Sequence, residues 1–236
     1  MSKTSKIIFP VCVLLALAAA ILWQIFLAQT VSYYLIAAAV MIAALLPFFI
    51  SYEKSAPSAR ELSLMAVLIA LAVVSRAVFF FVPSFKPIAA VVIAGAVCLG
   101  AERGYILGAL SMFVSNFQYG QGVWTPFQMV ALGTVGFLAG LLFQRVPAKR
   151  LQLSVFGFVI VFFFYGLLVD ISSVLTMAAD YSLQSILAIY LAGAQYSAIF
   201  AGATAIFLFL FGEEFIKKIN RIITKYGILE GVSDER

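Results

Sequence analysis

Histidine is absent from this sequence, and cysteine occurs only twice, at Cys12 and Cys98. Both cysteines lie within apolar stretches, the setting of ordinary membrane-helix residues rather than of reactive thiols. No cluster of imidazoles or thiols is available to bind zinc, haem or an iron–sulfur centre. There is also no histidine for a hydrolytic triad and no pair of carboxylates within the apolar runs, so we do not expect an enzyme.

Charge is scarce as well. Only 11% of the residues are charged, 64% are hydrophobic, and the mean hydropathy is +1.12. A bilayer core about 30 Å thick needs roughly 20 apolar residues per helix, so this length allows about seven or eight spans with short loops. The chain is therefore expected to be an all-α polytopic membrane protein. It contains no Walker-type glycine–lysine loop, so any ATPase that drives it must be on another chain.

Eight apolar runs follow one another, at residues 7–28, 31–51, 61–82, 87–101, 104–118, 126–143, 151–178 and 186–211. The first run is too long for a typical signal peptide and is interpreted as a retained span. Ser58 and Glu61 fit a capping box at the start of the third run. We expect a transmembrane hairpin at 1–51, a cytoplasmic linker at 52–60, a six-helix membrane core at 61–211 and an amphipathic cytoplasmic tail at 212–236.

Two of these runs, 87–101 and 104–118, are short for spans and are separated only by Glu102-Arg103. They are expected to be tilted or partly broken helices that pack through small residues. The glycines concerned are Gly95, Gly100, Gly104 and Gly108.

The tail segment Glu213–Tyr226 has isoleucines and a phenylalanine on one side and basic residues on the other, with Gly227 as a helix stop. This pattern is typical of a helix that lies on the lipid surface. Docking of a partner on the same segment stays open.

The basic residues set the expected orientation. With the N-terminus in the cytoplasm, thirteen of the fifteen lysines and arginines fall on the inner side, as the positive-inside rule requires. Both termini are then cytoplasmic, and the net charge of +5 is a topology signal rather than a nucleic-acid footprint. The inner residues are Lys3, Lys6, Lys54, Arg60, Arg103, Arg145, Lys149, Arg150, Lys217, Lys218, Arg221, Lys225 and Arg236.

Residues 115–129 are rich in amides, hydroxyls, aromatics and glycine, although the chain around them is apolar. Next to lipid such groups would lack hydrogen-bond partners, so this stretch is expected to face a cavity, a ligand or water at the outer face. Its aromatic and polar side chains fit a pocket for a large, neutral, polar organic ligand. The aromatic set, with Phe85 from the preceding loop, is Phe85, Phe117, Tyr119, Trp124 and Phe127, and the polar set is Asn116, Gln118, Gln121, Thr125 and Gln128.

Arg76 and Asp170 are charged residues within apolar runs, both in the outer half of the membrane on this topology. Charges at this depth are costly, usually face the bundle interior and usually have partners. An Arg76–Asp170 ion pair is the simplest arrangement, and contact of either residue with a ligand stays open.

The region from Glu61 to Phe143 resembles the substrate-binding S components of energy-coupling factor (ECF) transporters, particularly the cobalamin type. The most specific match is Gly120-Gln121-Gly122-Val123-Trp124-Thr125-Pro126-Phe127-Gln128-Met129, where the similar family strings have proline at the position of Val123 and tryptophan at that of Phe127. The supporting matches are Ser75-Arg76, Phe85-Lys86-Pro87, Gly95, Gly100, Gly108-Ala109-Leu110-Ser111 and Ser115-Asn116-Phe117.

The resemblance implies a six-helix subunit that captures a vitamin and works with a transmembrane coupling subunit and two cytoplasmic ATPases. It implies cobalamin or a related corrinoid as transported ligand, and no covalently bound cofactor. Ala66 and Ala70 match the family's Ala-x-x-x-Ala docking motif, although Ala39/Ala43 and Ala201/Ala205 have the same spacing. Another vitamin or vitamin precursor, or a secondary carrier coupled through Asp170, stays open. The expected substrate-binding residues are Arg76, Phe85, Lys86, Asn116, Phe117, Tyr119, Gln121, Trp124, Thr125, Gln128 and Asp170.

Overall fold

The computed structural model describes residues 57–178 and 182–228, together with five single helical positions between 35 and 50. Apart from those five positions, the predicted hairpin at 1–51 lies outside the described residues. Residues 57–178 and 182–228 form six helices and no strand, so the all-helical prediction is confirmed for this part. The helices are α1 (Ala59–Val78), α2 (Ile88–Leu99), α3 (Ala101–Tyr119), α4 (Trp124–Leu142), α5 (Arg150–Met177) and α6 (Leu183–Tyr226).

Each helix overlaps one apolar run of the sequence from residue 61 onward. By length and composition, α1, α4, α5 and α6 are able to cross a membrane. Helices α5 and α6 each include a π-helical segment, at Ile160–Tyr165 and Leu208–Gly212. The chain is thus a multi-pass membrane protein with long, apolar helices.

The start of α1 is tied to α3 rather than closed by a full capping box. The Ser58 hydroxyl accepts a hydrogen bond of 3.2 Å from the Glu61 N–H, which is half of the predicted box. The Glu61 carboxylate does not complete the box, because it accepts hydrogen bonds from Arg103 Nε at 2.5 Å and Nη2 at 3.2 Å. A bidentate ion pair thereby joins α1 to α3 at what we call the basic end of the bundle, where Arg60 and Arg150 also lie.

Replacing Glu61 with glutamine is expected to lower the free energy of unfolding by about 3 kcal/mol, the cost of leaving one member of a buried pair alone. The charge left alone is that of Arg103, whose side chain is only 21% exposed, so solvent compensates in part for the lost carboxylate. Thermal unfolding in detergent, followed by tryptophan fluorescence, measures the effect. The control is Glu214→Gln, which removes an exposed pair with Lys217 and is expected to change nothing measurable. Equal melting temperatures for the two variants would contradict the assignment.

Glycines bring the backbones of α3 and α4 into contact. A Cβ on Gly104 would lie 2.6 Å from the carbonyl oxygen of Gly136, and one on Gly136 or Gly108 would overlap the backbone of the facing helix. Gly95 of α2 makes room for a side chain of α3 in a similar way, since an added Cβ would lie 2.6 Å from a side-chain carbon of Leu107. The predicted packing role is confirmed for Gly95, Gly104 and Gly108, but not for Gly100, where an added Cβ would meet only Gln144 at 3.9 Å.

The chain turns from α2 into α3 at Gly100, not at Glu102-Arg103 as predicted. Gly100 has a φ of 90°, a backbone conformation that is unfavourable for residues with a Cβ. Glu102 and Arg103 lie within the first turn of α3. The difference has a simple cause, since polarity marks a junction less reliably than a residue that can adopt positive φ.

The last part of α6, Glu213–Tyr226, is amphipathic as predicted and ends at Gly227, which adopts the left-handed conformation. Its apolar face packs against the protein rather than only against lipid, because Ile216 and Ile219 are buried next to α2. Arg60 at the start of α1 donates a hydrogen bond of 2.8 Å to the Tyr226 carbonyl oxygen. The tail is therefore docked on the basic end of the bundle.

Candidate functional site

A cavity of about 630 Å³ lies at the end of the bundle opposite the Glu61–Arg103 pair, which we call the cavity end. Residues of α1, α3, α4, α5 and α6 and of the loop after α1 line it. This volume is within the range of small-molecule sites, about 300–1,000 Å³. The polar side chains of its lining are Arg76, Ser84, Lys86, Tyr119, Gln128, Tyr165, Asp170, Ser173, Tyr196 and Ser197.

Arg76 is held in place by α3. Its Nη1 donates hydrogen bonds to Ser115 Oγ at 2.5 Å and to Asn116 Oδ1 at 2.7 Å. The guanidinium lies 4.1 Å from the centre of the Tyr119 ring, and the Tyr119 hydroxyl donates to the Arg76 carbonyl oxygen at 2.7 Å. These contacts fix one side of the guanidinium at the wall of the cavity.

In the polar stretch at 115–129, several side-chain donors and acceptors form hydrogen bonds with each other. Asn116 is buried, and its Nδ2 donates to Thr125 Oγ1 at 3.2 Å and to Gln128 Oε1 at 2.8 Å. Thr125 in turn donates to Gln121 Oε1 at 2.9 Å. The result is a network that runs from Gln121 to Arg76, so most of these amides position the cavity wall and only Gln128 lines it.

Lys86 closes the C-terminal end of α1. Its ammonium donates to the carbonyl oxygens of Phe79, Phe80 (3.0 Å) and Val82 (2.9 Å). Cations stabilise the C-terminal end of a helix, where carbonyl groups are unpaired. Desolvation first, and then the positive charge of Arg76, lower the pKa of Lys86 below its usual range. Lys86 lines the cavity, but its three N–H groups are already engaged.

Asp170 lies on α5 and packs directly on the α6 backbone, since a Cβ on Gly193 would be 2.5 Å from Oδ2 of Asp170. Within the described part of the chain, no hydrogen bond or ion pair reaches its carboxylate. The predicted Arg76–Asp170 ion pair is not formed. Arg76 of α1 is held by a hydrogen bond to Ser115 of α3, while Asp170 of α5 packs against α6. Both side chains nevertheless line the same cavity.

Several of the residues expected to bind substrate lie outside the cavity. Phe85 packs against Phe79 and Phe207, at ring-centre distances of 5.4 and 6.3 Å. Phe117 is 70% exposed, and Trp124 packs over Gly122 with 44% of its surface exposed. Of the expected set, Arg76, Lys86, Tyr119, Gln128 and Asp170 line the cavity, while Phe85, Asn116, Phe117, Gln121, Trp124 and Thr125 do not.

Apart from Asp170, the α5–α6 side of the cavity was missed by sequence reasoning. On α5 it consists of Tyr165, Gly166, Val169, Asp170, Ser173 and Met177, and on α6 of Ile189, Ala192, Gly193, Tyr196, Ser197 and Phe200. In both helices these positions are largely three or four residues apart, as expected for one helical face. The available signal was the recurrence of serine, tyrosine and glycine on the face that carries Asp170.

Ala66 and Ala70 lie on an exposed face of α1, away from the bundle core. Val67 and Val74 on the same side are 55% and 54% exposed. The exposed face is therefore apolar, and the side chains at its centre are small. Ala201, which has the same spacing to Ala205, is fully buried and faces the protein. Of the alanine pairs with this spacing, Ala66/Ala70 is therefore exposed and available for docking, whereas Ala201 of the pair Ala201/Ala205 is buried.

Comparison with known proteins identifies the chain through one family. Among the residues that the structure describes, no group of three or more histidine, cysteine, aspartate or glutamate residues could bind a metal ion. Searches of curated proteins and of solved structures found no significant match. The family model described as "ECF transporter, substrate-specific component" matches residues 60–227, which include all six helices except the first residue of α1. The chain therefore belongs to the family of substrate-specific components of ECF transporters.

Proposed function

We propose that this chain captures cobalamin or a related corrinoid at the outer face of the cell membrane for ATP-driven import. As a member of its family, it is a non-catalytic subunit that binds a small molecule and works with the ECF transmembrane and ATPase subunits. The observation that carries the proposal is the cavity, because hydrogen-bonding side chains line it on both the α1–α3 side and the α5–α6 side. The proposed orientation, with both termini in the cytoplasm, makes the cavity end the outer end.

Two features favour a corrinoid. The string from Gly120 to Met129 resembles that of cobalamin-type S components, and its amide network supports the wall that carries Arg76 and Gln128. A corrinoid has many primary amides, which are able to donate to Asp170, and cobalamin also has a phosphodiester, which is able to accept from Arg76. The sequence contains no histidine, so the cobalt ion would not be ligated by imidazole and recognition would depend on the rim of the corrin ring.

The size of the cavity favours a second candidate, a smaller vitamin or vitamin precursor. A whole cobalamin is larger than about 630 Å³, so in the first proposal only one edge of the corrin ring enters, together with its amide arms and the phosphodiester. A smaller vitamin would be enclosed completely, which is the usual arrangement for tightly bound small molecules.

Calorimetric titration of the purified chain in detergent with cyanocobalamin tests the corrinoid proposal. We expect one-to-one binding with a submicromolar Kd. Replacing Tyr196, which lines the cavity, with alanine is expected to weaken binding about tenfold through the loss of an aromatic contact.

The matched control is Trp124→Ala, which removes an aromatic side chain that lies outside the cavity. This variant is expected to bind as the natural chain does. No binding of cyanocobalamin would refute the corrinoid proposal. Loss of binding in the control together with full binding in Tyr196→Ala would move the site away from the cavity.

A further inference from the structure

We infer that the cavity selects a dipolar ligand, with a carboxylate or phosphate on the Nε–Nη2 edge of Arg76 and an N–H donor group on Asp170. This inference rests on the proposed capture of a small molecule at the cavity and specifies its chemical class. It does not require that the ligand be a corrinoid.

The first step concerns the free edge of Arg76. Nη1 is engaged by Ser115 and Asn116, whereas Nε and Nη2 have no partner in residues 57–178 and 182–228. Arg103 uses the same Nε–Nη2 edge to hold the Glu61 carboxylate at 2.5 and 3.2 Å. Two parallel N–H groups of this kind match two oxygens of a carboxylate or phosphate, which a single amide oxygen does not.

The second step concerns charge. Asp170 is the acidic residue in the described lining of the cavity, and it forms no ion pair with Arg76. Lys86, the other cation there, is engaged by carbonyl oxygens and adds positive charge on the same side. A guanidinium in an apolar bundle without a counter-ion is costly, and an anionic ligand would remove that cost.

The third step concerns the α5–α6 wall. Asp170 projects from α5 next to Gly193 of α6, and both residues line the cavity that Arg76 of α1 also lines. An ionised carboxylate only accepts hydrogen bonds, so the matching ligand group is a donor, such as an ammonium or a primary amide. The serine hydroxyls of Ser173 and Ser197 line the same wall and are able to complete such a site.

Two corrinoids separate these contributions. Cyanocobalamin has a phosphodiester and primary amides, whereas dicyanocobinamide keeps the amides but lacks the phosphodiester. We expect the natural chain to bind cyanocobalamin roughly 30-fold more tightly, the ratio typical of a charge-assisted bidentate contact. In Arg76→Gln this preference is expected to disappear, and in Asp170→Asn both Kd values are expected to rise about tenfold with the preference intact.

Arg76→Gln also removes hydrogen bonds to α3, so Arg76→Lys is the second variant. Lysine keeps the charge but cannot form the bidentate contact, and most of the preference for cyanocobalamin is expected to be lost. Thermal unfolding verifies that the variants fold. The inference is overturned if Arg76→Gln weakens the binding of both corrinoids equally, or if the natural chain binds both equally.

If neither corrinoid binds, the corrinoid proposal fails and the inference is tested separately with pantothenate and folic acid. Panthenol, which has an alcohol in place of the carboxylate of pantothenate, is the neutral match. We expect binding that requires the carboxylate and that is lost in Arg76→Gln. Equal binding of panthenol and pantothenate, or failure of both acids to bind, would overturn the inference.

Discussion

Replacing both Ala66 and Ala70 with leucine is expected to abolish substrate import while leaving ligand binding unchanged. The two alanines lie on an exposed face of α1, and the buried residues of that helix, such as Leu64 and Leu68, are on other sides. Small residues allow two membrane helices to approach closely, and branched side chains at their centre prevent it. We propose that the ECF transmembrane subunit docks on this face.

The measurement has two parts, co-purification of the chain with the ECF transmembrane and ATPase subunits and uptake of radiolabelled ligand by cells that express all of them. Uptake is expected to fall to background if, as we propose, the ATPases act on this chain only through the docked complex. Ala188→Leu places the same side chain on an exposed position of α6 and is the control, with uptake unchanged. Full uptake by the double variant would place the docking surface elsewhere.

The second large effect is expected at Gly136, where an added methyl group would overlap the backbone of α3 at Gly104. Backbone atoms cannot move aside as a flexible side chain does, so Gly136→Ala requires α3 and α4 to separate. We expect a loss of at least 3 kcal/mol in the free energy of unfolding, or no folded protein at all.

Gly202→Ala is the matched control, because an added Cβ at this position of α6 meets nothing within 4 Å. Alanine favours helix over glycine by about 1 kcal/mol, so this variant is expected to be as stable as the natural chain or slightly more so. Melting temperature and the monodisperse fraction after detergent extraction measure both variants. A Gly136→Ala protein as stable as Gly202→Ala would show that the two backbones do not touch.

The helices could be predicted from the sequence because each apolar run, long or short, is bounded by polar or glycine residues. The packing of Gly104 and Gly108 was predictable for a related reason, since glycines four residues apart mark one face of a helix. The docked tail was not predictable, because it depends on which surfaces α2 and α6 offer each other, whereas Gly100 was an available signal for the turn between α2 and α3. The periodicity of a sequence identifies the apolar face of a helix, but it does not tell which other helix packs on that face.

The candidate site was predictable only in part, and for similar reasons. A charge within an apolar run has to face the interior, and this is enough to direct Arg76 and Asp170 to the cavity. Their mutual pairing depended on distance in three dimensions, and Ser115 and Asn116 proved to be the nearer partners of Arg76. Trp124 and Tyr196 are both aromatic residues in or near apolar runs, and only the packing of the helices puts Tyr196 in the cavity lining and leaves Trp124 outside it.

The most direct test of the central claim is uptake of radiolabelled cyanocobalamin by proteoliposomes that contain this chain with the ECF transmembrane and ATPase subunits. The proposal predicts accumulation that requires ATP on the side of the ATPases and is absent when either this chain or the ECF subunits are left out. It also predicts that Asp170→Asn weakens binding without abolishing ATP-driven transport. Accumulation by this chain alone, driven by a proton gradient and abolished in Asp170→Asn, would contradict the account and indicate a secondary carrier.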